Sequence, residues 1–501
     1  MTRTAHSLTG AVIALLPLLC GCAVGPDFAR PDPPVADRFT GAPLPVTTAS
    51  ASVSDGAAQR FIVDADIPGE WWTLFRSPAL DTLVKEALAN NPNITAAEAA
   101  LRQARELRMS GEGAFFPLVQ ANPNVSANKT AASLSPNTAN GNLYYSLYTA
   151  QLSVSYTPDL FGGTRRQVES LLAQEDAQRF QLQAADLTLT SNLVAAAIGE
   201  AGLRDQIAAV TAIIAAERES LGILQKQLGL GQVAGADVAA QQAALAQAEA
   251  TLPPLQKQLA QQRDLIAVLA GRLPSNQPNA TFDLTSLQLP QDLPVSLPSR
   301  LVEQRPDIRA AEANLHAASA QIGVAIANML PQIDLTANPG LTATTLGQLF
   351  TPGAAFWTLA AGATQTIFDA GSLLHKRRAA DDAFDQAAAQ YKATVLTAFQ
   401  NVADTLEALN SDANLLAAAA AAEKAAQQSL DITRRQLSAG AINYLALLNA
   451  QQTYEQAVIN RVQAQASRLA DTAALFQALG GGWWNRPAAA EPKEASFSPI
   501  P

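Results

Sequence analysis

The sequence predicts a mainly helical chain in which one unit, made of long coiled-coil helices and two β-strands, occurs twice. Three observations predict this fold class. Two parts of the chain align with each other, apolar residues recur at spacings of three and four over long stretches, and four short segments alternate apolar with polar residues. The 501 residues contain 28 glycines and 29 prolines, an average usage that is typical of an ordered protein.

The composition excludes several functional classes. The 33 basic and 43 acidic residues give a net charge of −10, which removes the electrostatic basis for nucleic-acid binding. The chain has three histidines and two cysteines, and no Ser/His/Asp or Cys/His set can be assigned among its residues. His316 and His375 lack partner ligands at helical spacing and are expected at the surface. We therefore expect no catalysis, no metal and no cofactor.

The N-terminus predicts export and a lipid anchor. Arg3 precedes an apolar run, Leu8–Cys22, which is too short to cross a bilayer as a helix and has the layout of a signal peptide. The run ends in LCGC and resembles the lipobox of bacterial lipoproteins, which implies that residues 1–21 are removed and that Cys22 carries S-diacylglycerol and an N-acyl chain. Ala23, where lipoproteins retained in the inner membrane usually carry aspartate, points to the outer membrane. The alternative is a soluble exported protein with a free thiol.

An internal duplication sets the domain organisation. Asn91–Ala104 and Arg305–Ala318 align without gaps at an offset of 214, and further along an offset of 209 pairs Gly231 with Gly440. Two copies of one unit must supply the same structural parts. The predicted regions are a lipidated extended segment at 22–66, a first repeat at 67–271, a proline-rich connector at 272–300, a second repeat at 301–484 and a tail at 485–501.

Heptad spacing predicts long antiparallel helix pairs in each copy. Apolar residues keep the three-and-four spacing over Leu203–Leu228, except that Glu217 fills one of the apolar positions. Residues 164–228 are therefore one long helix or two in series, and Val238–Leu269 returns beside them. The second copy repeats the pattern. Pro253–Pro254 predicts a bend in the returning helix of the first copy only.

Four segments alternate with period two, at about 116–129 and 143–158 in the first copy and 331–344 and 355–368 in the second. One face is polar and the other apolar, which suits a strand between lipid and water, although a strand of a soluble sandwich has the same pattern. Four strands cannot close a barrel, and an open edge in lipid leaves backbone groups unpaired at a cost of several kcal/mol each. Two chains would enclose a plugged bore and three a water-filled one, so a trimer is the smallest conduit.

Five motifs carry a family resemblance: Cys22–Phe28, Trp71–Ile94, Thr157–Arg166, Leu297–Leu315 and Leu479–Trp484. On these motifs the sequence resembles the outer-membrane efflux factors, or TolC-like channels, and among them the NodT-type lipoproteins that serve resistance-nodulation-division (RND) pumps. The resemblance implies a homotrimer whose 12-stranded β-barrel lies in the outer membrane of a Gram-negative bacterium and continues as a 12-helix α-barrel tunnel in the periplasm. The implied partners are a periplasmic adaptor (membrane fusion protein), an inner-membrane RND transporter and outer-membrane lipid.

The resemblance also implies a role for the helix-to-helix turns, here Gln225–Val238 and Arg434–Leu445. In the family these turns close the resting channel and receive the adaptor. The implied gate and docking residues are Lys226, Leu228, Gly231, Arg434, Arg435, Leu437 and Gly440. Their basic side chains are expected to form constricting ion pairs or adaptor contacts, with ordinary solvated helix ends as the alternative.

The predicted function is a passive exit duct that conducts small molecules from the periplasm to the exterior, energised by an inner-membrane pump. The alternative is a periplasmic coiled-coil adaptor or scaffold lipoprotein without a transmembrane barrel. Two duplicated helix pairs together with four alternating segments argue against that alternative. An enzyme or adhesin is disfavoured because no catalytic set can be assigned.

Overall fold

The computed structural model describes residues 23–131 and 144–486. The predicted lipidation site Cys22, the signal peptide, residues 132–143 and residues 487–501 lie outside the described residues. The lipid anchor on Cys22 therefore stays a prediction.

Eight α-helices account for most of the described residues. They are α1 (Pro78–Asn90), α2 (Pro92–Glu112), α3 (Gly163–Gly229), α4 (Gly235–Leu269), α5 (Pro298–Gln304), α6 (Pro306–Ala327), α7 (Ser372–Ser438) and α8 (Tyr444–Ala478). Within the described ranges, no helix has an apolar stretch long enough to cross a bilayer.

Six β-strands lie in the part of the chain that the structure describes. They are β1 (Arg60–Val63), β2 (Leu118–Lys129), β3 (Tyr144–Tyr156), β4 (Asp292–Val295), β5 (Gln332–Ala343) and β6 (Ala355–Thr364). The four longer strands lie inside the four segments whose alternation predicted them.

The chain divides into two compact units. The strand unit comprises residues 23–31, 101–131, 144–178 and 311–391, and the helix unit comprises residues 32–100, 179–310 and 392–486. Each unit takes segments from both copies of the repeat. Corresponding parts of the two copies therefore lie in the same unit.

In the strand unit, the longer strands form one antiparallel sheet in the order β2-β3-β5-β6. Each copy contributes one hairpin, and the two hairpins meet along β3 and β5, where Val154 lies opposite Ala337. Among the described strands, β2 and β6 form the two edges of this sheet. Apolar side chains on the strands are exposed in the single chain, including Val125, Trp357 and Leu359 at 67%, 77% and 75%.

An aspartate that lies a few residues before each of the two longest helices caps its first turn. The Asp159 carboxylate accepts hydrogen bonds from the backbone N–H groups of Thr164 and Arg165, at 3.0 and 2.9 Å, where α3 begins. Asp369 accepts in the same way from Gly371 and Leu373, at 2.9 and 2.7 Å, where α7 begins. These bonds satisfy N–H groups that have no partner inside the helix. The backbone N–H of Leu373 is also the main reason that the pKa of Asp369 is lowered.

The long helices form two pairs of equal length. The first helix pair consists of α3 with 67 residues and α4 with 35, and the second helix pair consists of α7 with 67 and α8 with 35. The first long stretch is therefore one continuous helix and not two in series. Helix α4 continues through Pro253 and Pro254, so the predicted bend there stays a prediction.

Aromatic residues build the core of the helix unit beside the connector. Trp71 is fully buried and stacks on Phe476 of α8, with 5.4 Å between ring centroids. The indole N–H of Trp483 donates to the backbone oxygen of Gln304 at 2.6 Å. The segments around Trp71, Gln304 and Trp483 thus pack within this unit.

The segment before Trp71 packs against the rest of the helix unit, which the sequence did not predict. Strand β1 pairs with β4 in parallel, with Phe61 opposite Leu293. Arg468 of α8 is fully buried and holds the preceding residues through four acceptors. They are the backbone oxygens of Asp55 and Ala57, at 3.2 and 2.7 Å, Thr48 Oγ1 at 3.1 Å and Gln59 Oε1 at 3.4 Å.

Candidate functional site at the hairpin turns

The two helices of each pair are joined by a turn, and the two turns have the same backbone geometry. Gly231 and Gly440 have φ of +73° and +70°, a left-handed conformation that favours glycine. The N–H of Gly231 donates to the oxygen of Leu228, and the next N–H donates to the oxygen of Gln227, both at 2.9 Å. The same two bonds, at the same distances, surround Gly440. This is the Schellman arrangement that ends a helix, and it shows why glycine stands at both positions.

An apolar cluster joins the two helix pairs close to the turns. Its buried members come from all four long helices and are Leu224, Val238, Leu430, Tyr444 and Leu447. Leu437 packs against this cluster, whereas its counterpart Leu228 is 40% exposed. The two leucines predicted as equivalent gate residues therefore have different surroundings in the single chain.

A buried polar network crosses the same region. The Tyr444 hydroxyl donates to Gln241 Oε1 at 2.6 Å. Gln241 Nε2 donates to the backbone oxygen of Glu217 at 3.0 Å and also to the Glu217 carboxylate. Gln241 is fully buried and Glu217 is 2% exposed. Side chains of α8, α4 and α3 are thus connected in one chain of hydrogen bonds, and burial raises the pKa of Tyr444 to about 12.

A second acidic side chain faces Glu217. Glu455 of α8 lies within hydrogen-bonding distance of it, and its pKa is raised to about 8, first by burial and then by the charge of Glu217. The two glutamates line a cavity of about 190 Å³ together with Arg434, Gln451 and Tyr454. Gln451 Oε1 is buried without a hydrogen-bond partner among the described residues. The two acidic side chains thus line one cavity.

The structure separates the predicted basic residues. Arg434 reaches the cavity of Glu217 and Glu455 and lies 3.7 Å from the carboxylate of Asp431. Arg435 donates to the backbone oxygen of Asp431 at 3.2 Å, and Lys226 is exposed. Only Arg434 among these cations therefore belongs to the polar site between the helix pairs.

Sequence reasoning missed the four residues that build this site, Glu217, Gln241, Tyr444 and Glu455. One signal was present, because Glu217 occupies an apolar heptad position and a buried acid needs a partner. Its hydrogen-bond partner Gln241 lies across the helix turn, and its acidic neighbour Glu455 lies more than two hundred residues away, so the heptad pattern could identify neither.

The residues that follow Cys22 are held firmly in the strand unit. The N–H of Val24 donates to the oxygen of Phe161 at 2.9 Å, and Arg166 forms a 2.6 Å ion pair with Asp27. Phe28 stacks on His316 at 4.4 Å, and His316 Nε2 lies 2.9 Å from Glu169 Oε1. The His316 side chain is 31% exposed, so it lies at the surface as expected, with Phe28 stacked on its ring and Glu169 paired with it.

The chain is similar to known proteins over most of its length. Residues 83–272 and 297–481 match the family model described as outer membrane efflux protein. The toluene efflux pump outer membrane protein TtgC of Pseudomonas putida is 30% identical over 492 residues, which cover 97% of each chain. The pyoverdine export outer membrane protein OpmQ of the same species is 29% identical over 82% of this chain and 88% of its own.

Solved structures show the same fold. The outer-membrane channel OprN superposes with a TM-score of 0.81 at 28% identity, over 92% of this chain and all of its own. The open state of the MtrE outer membrane channel of Neisseria gonorrhoeae gives a TM-score of 0.78 at 26% identity, over 92% of this chain and 99% of its own. The fold class predicted from the duplication and the heptads is confirmed.

Proposed function

This chain belongs to the family of outer membrane efflux proteins, and from that premise we propose that three copies of it form the passive exit duct of a tripartite efflux system. It is an outer-membrane protein, as its relatives are. The duct conducts small molecules after docking with a periplasmic adaptor and an inner-membrane RND transporter. It hydrolyses nothing, because the pump supplies the energy.

The observation that carries the proposal is the four-stranded sheet with two edges. In lipid, the N–H and C=O groups along the edges of β2 and β6 need partners, since no water is present to satisfy them. A second and a third copy supply those partners, and twelve strands enclose a water-filled bore. The exposed Val125, Trp357 and Leu359 then face lipid instead of water.

The turns that join α3 to α4 and α7 to α8 are proposed as the periplasmic gate and the adaptor-docking site. The residues proposed for this role are Lys226, Leu228, Gly231, Arg434, Arg435, Leu437 and Gly440. Opening separates the first helix pair from the second, biased by the adaptor. The lipid on Cys22 is proposed as the anchor in the outer membrane. Replacing Cys22 with serine should abolish labelling by palmitate, and a labelled variant would disprove the lipobox assignment.

A matched pair of substitutions in β6 tests the membrane sheet. Leu359 and Thr358 are adjacent in this strand, so their side chains lie on opposite faces of the sheet. In the strand register, Leu359 pairs with Ala337 and Thr358 pairs with Asn338 of β5. Leu359→Arg places a charge in lipid at a cost of about 2–4 kcal/mol near the bilayer midplane, whereas Thr358→Arg faces water. We expect the first variant to lose outer-membrane insertion and the second to keep it.

The measurements are the mass of the detergent-extracted protein and its conductance in a planar bilayer. A trimeric mass with ion conductance supports the duct. A monomeric, non-conducting protein in which both arginine variants behave like the parent would instead support the periplasmic adaptor or scaffold.

A further inference from the structure

The duct itself makes no use of the buried acid Glu217 and the half-buried acid Glu455. We propose that these two side chains share one proton and that this proton latches the first helix pair to the second beside the turns, so that its loss loosens the gate. The inference rests on the proposed function, because it concerns the regulation of the same gate. The ligand of the site is a proton, bound by a carboxyl–carboxylate pair.

The chemistry of the contact requires the proton. A carboxylate only accepts hydrogen bonds, so two carboxyl groups bond to each other only when one of them is protonated. Glu217 is 2% exposed, and burial makes a second negative charge beside it unfavourable. The raised pKa of Glu455, about 8, has these same two causes.

The groups around Glu217 and Glu455 do not remove the preference for one protonated and one ionised carboxyl group. From α4, Gln241 donates to the Glu217 carboxylate and holds it as the acceptor of the pair. From α8, Tyr444 and Tyr454 contribute neutral phenols. From α7, Arg434 is the cation that lines the cavity, but its side chain is 51% exposed and lies beside Asp431. Solvent and Asp431 therefore screen its charge.

The pair occurs in only one of the two pseudo-equivalent places. At the offset of 209, Glu217 corresponds to Ala426 of α7 and Glu455 corresponds to Ala246 of α4. The duplication therefore does not require acids here. The contact of α3 with α8 has a titratable latch, and the contact that duplication makes equivalent to it has alanine on both sides.

Raising the pH should loosen the gate, because the protonated carboxyl group is the form that joins the two helix pairs. Below pH 8 the proton joins α3 to α8 and the gate is latched. Above pH 8 two carboxylates face each other, water enters the cavity of about 190 Å³, and the helix pairs separate more readily. The protonated fraction falls from about nine-tenths at pH 7 to about one-tenth at pH 9.

Infrared titration of the full-length protein tests the proton site without reference to transport. Between pH 6 and 9 we expect the protonated-carboxyl band to lose a component near pH 8, separate from the loss of the Asp412 proton near pH 7. Glu455→Gln should remove that component, because an amide replaces the titrating acid. Glu219→Gln, two residues after Glu217 on the exposed side of α3, is the matched control and should keep it. A component unchanged by Glu455→Gln would overturn the inference.

Conductance in a planar bilayer then tests the latch. The parent and Glu219→Gln should open at least three-fold more often at pH 9 than at pH 7. Glu455→Gln should stay at the pH 7 level throughout, since its amide N–H donates to Glu217 without a titrating proton. Equal pH dependence in all three proteins would overturn the latch. A protein that never conducts would overturn the proposed duct, while the infrared result would still decide the proton site.

Discussion

The two helix pairs have the same backbone but different surroundings. Their helices have identical lengths, and their turns have the same hydrogen bonds. Yet five residues of α4 are buried in the single chain, against fifteen of α8. Part of the difference arises because residues 51–59 and Trp71 cover α8 at Ala464, Arg468 and Phe476. Duplication thus fixes the path of the backbone, and the segments outside the repeats decide what each copy buries.

Arg468 of α8 is one example of this difference in surroundings. Its counterpart in α4 at the offset of 209 is Leu259, an ordinary heptad leucine. Arg468 instead binds the chain between Thr48 and Gln59, and burial lowers its pKa. One position of the repeat therefore serves coiled-coil packing in the first pair and fastens the N-terminal segment in the second.

The largest expected effect comes from removing that arginine. Arg468→Ala leaves buried acceptors unpaired and should destabilise the protein by about 3–5 kcal/mol. Leu259→Ala, the matched change in the first pair, should cost about 1–2 kcal/mol. Thermal unfolding measures the loss, and limited proteolysis should release residues 47–59 in the first variant only. Equal losses and equal proteolysis would show that the N-terminal segment is not held by Arg468.

Substitution of the turn glycines tests the backbone equivalence of the two pairs. Gly231→Ala and Gly440→Ala each place a Cβ at positive φ, at a cost of about 1–2 kcal/mol, and neither Cβ meets another atom. The two losses in thermal stability should therefore agree. Gly222→Ala, inside α3 and equally free of contacts, should stabilise by about 0.5–1 kcal/mol. A loss at only one turn would break the equivalence.

The smallest expected effect concerns a carboxyl pair that only the second helix pair has. Burial, and then Asp471, raises the pKa of Asp412 to about 7, whereas the corresponding residues of the first pair are Leu203 and Gln262. The folded protein holds the Asp412 proton more tightly than the unfolded chain, so stability falls as the pH rises from about 4 through 7.

Asp412→Asn should therefore raise stability at pH 8 by about 1 kcal/mol, allowing for solvent screening, and leave it nearly unchanged at pH 4. Unfolding midpoints at both pH values measure the effect. Asp404→Asn, on an exposed turn of α7, is the control and should shift neither midpoint. A gain at pH 4 as large as that at pH 8 would rule out titration of Asp412 as the cause.

The sequence predicted those features that repeat locally. Heptads predicted the long helices, alternation predicted the four strands of the sheet, and the aligned Gly231 and Gly440 predicted the turns. The sequence could not predict the contacts of Arg468 with Thr48 and of Glu455 with Glu217. These contacts join residues hundreds of positions apart and have no counterpart in the other copy. Strands β1 and β4, with four residues each, are too short to show a period.

The adjacent prolines of α4 give the two pairs different mechanical compliance. Pro253 and Pro254 have no N–H, so the carbonyls of Glu249 and Ala250 lack the helix partners that Val462 and Gln463 supply in α8. A regular helix must stretch two backbone hydrogen bonds to bend at this point, and α4 lacks both of them. We therefore expect α4 to bend more readily than α8 under the same load, so that equal forces on the two pairs would move them unequally.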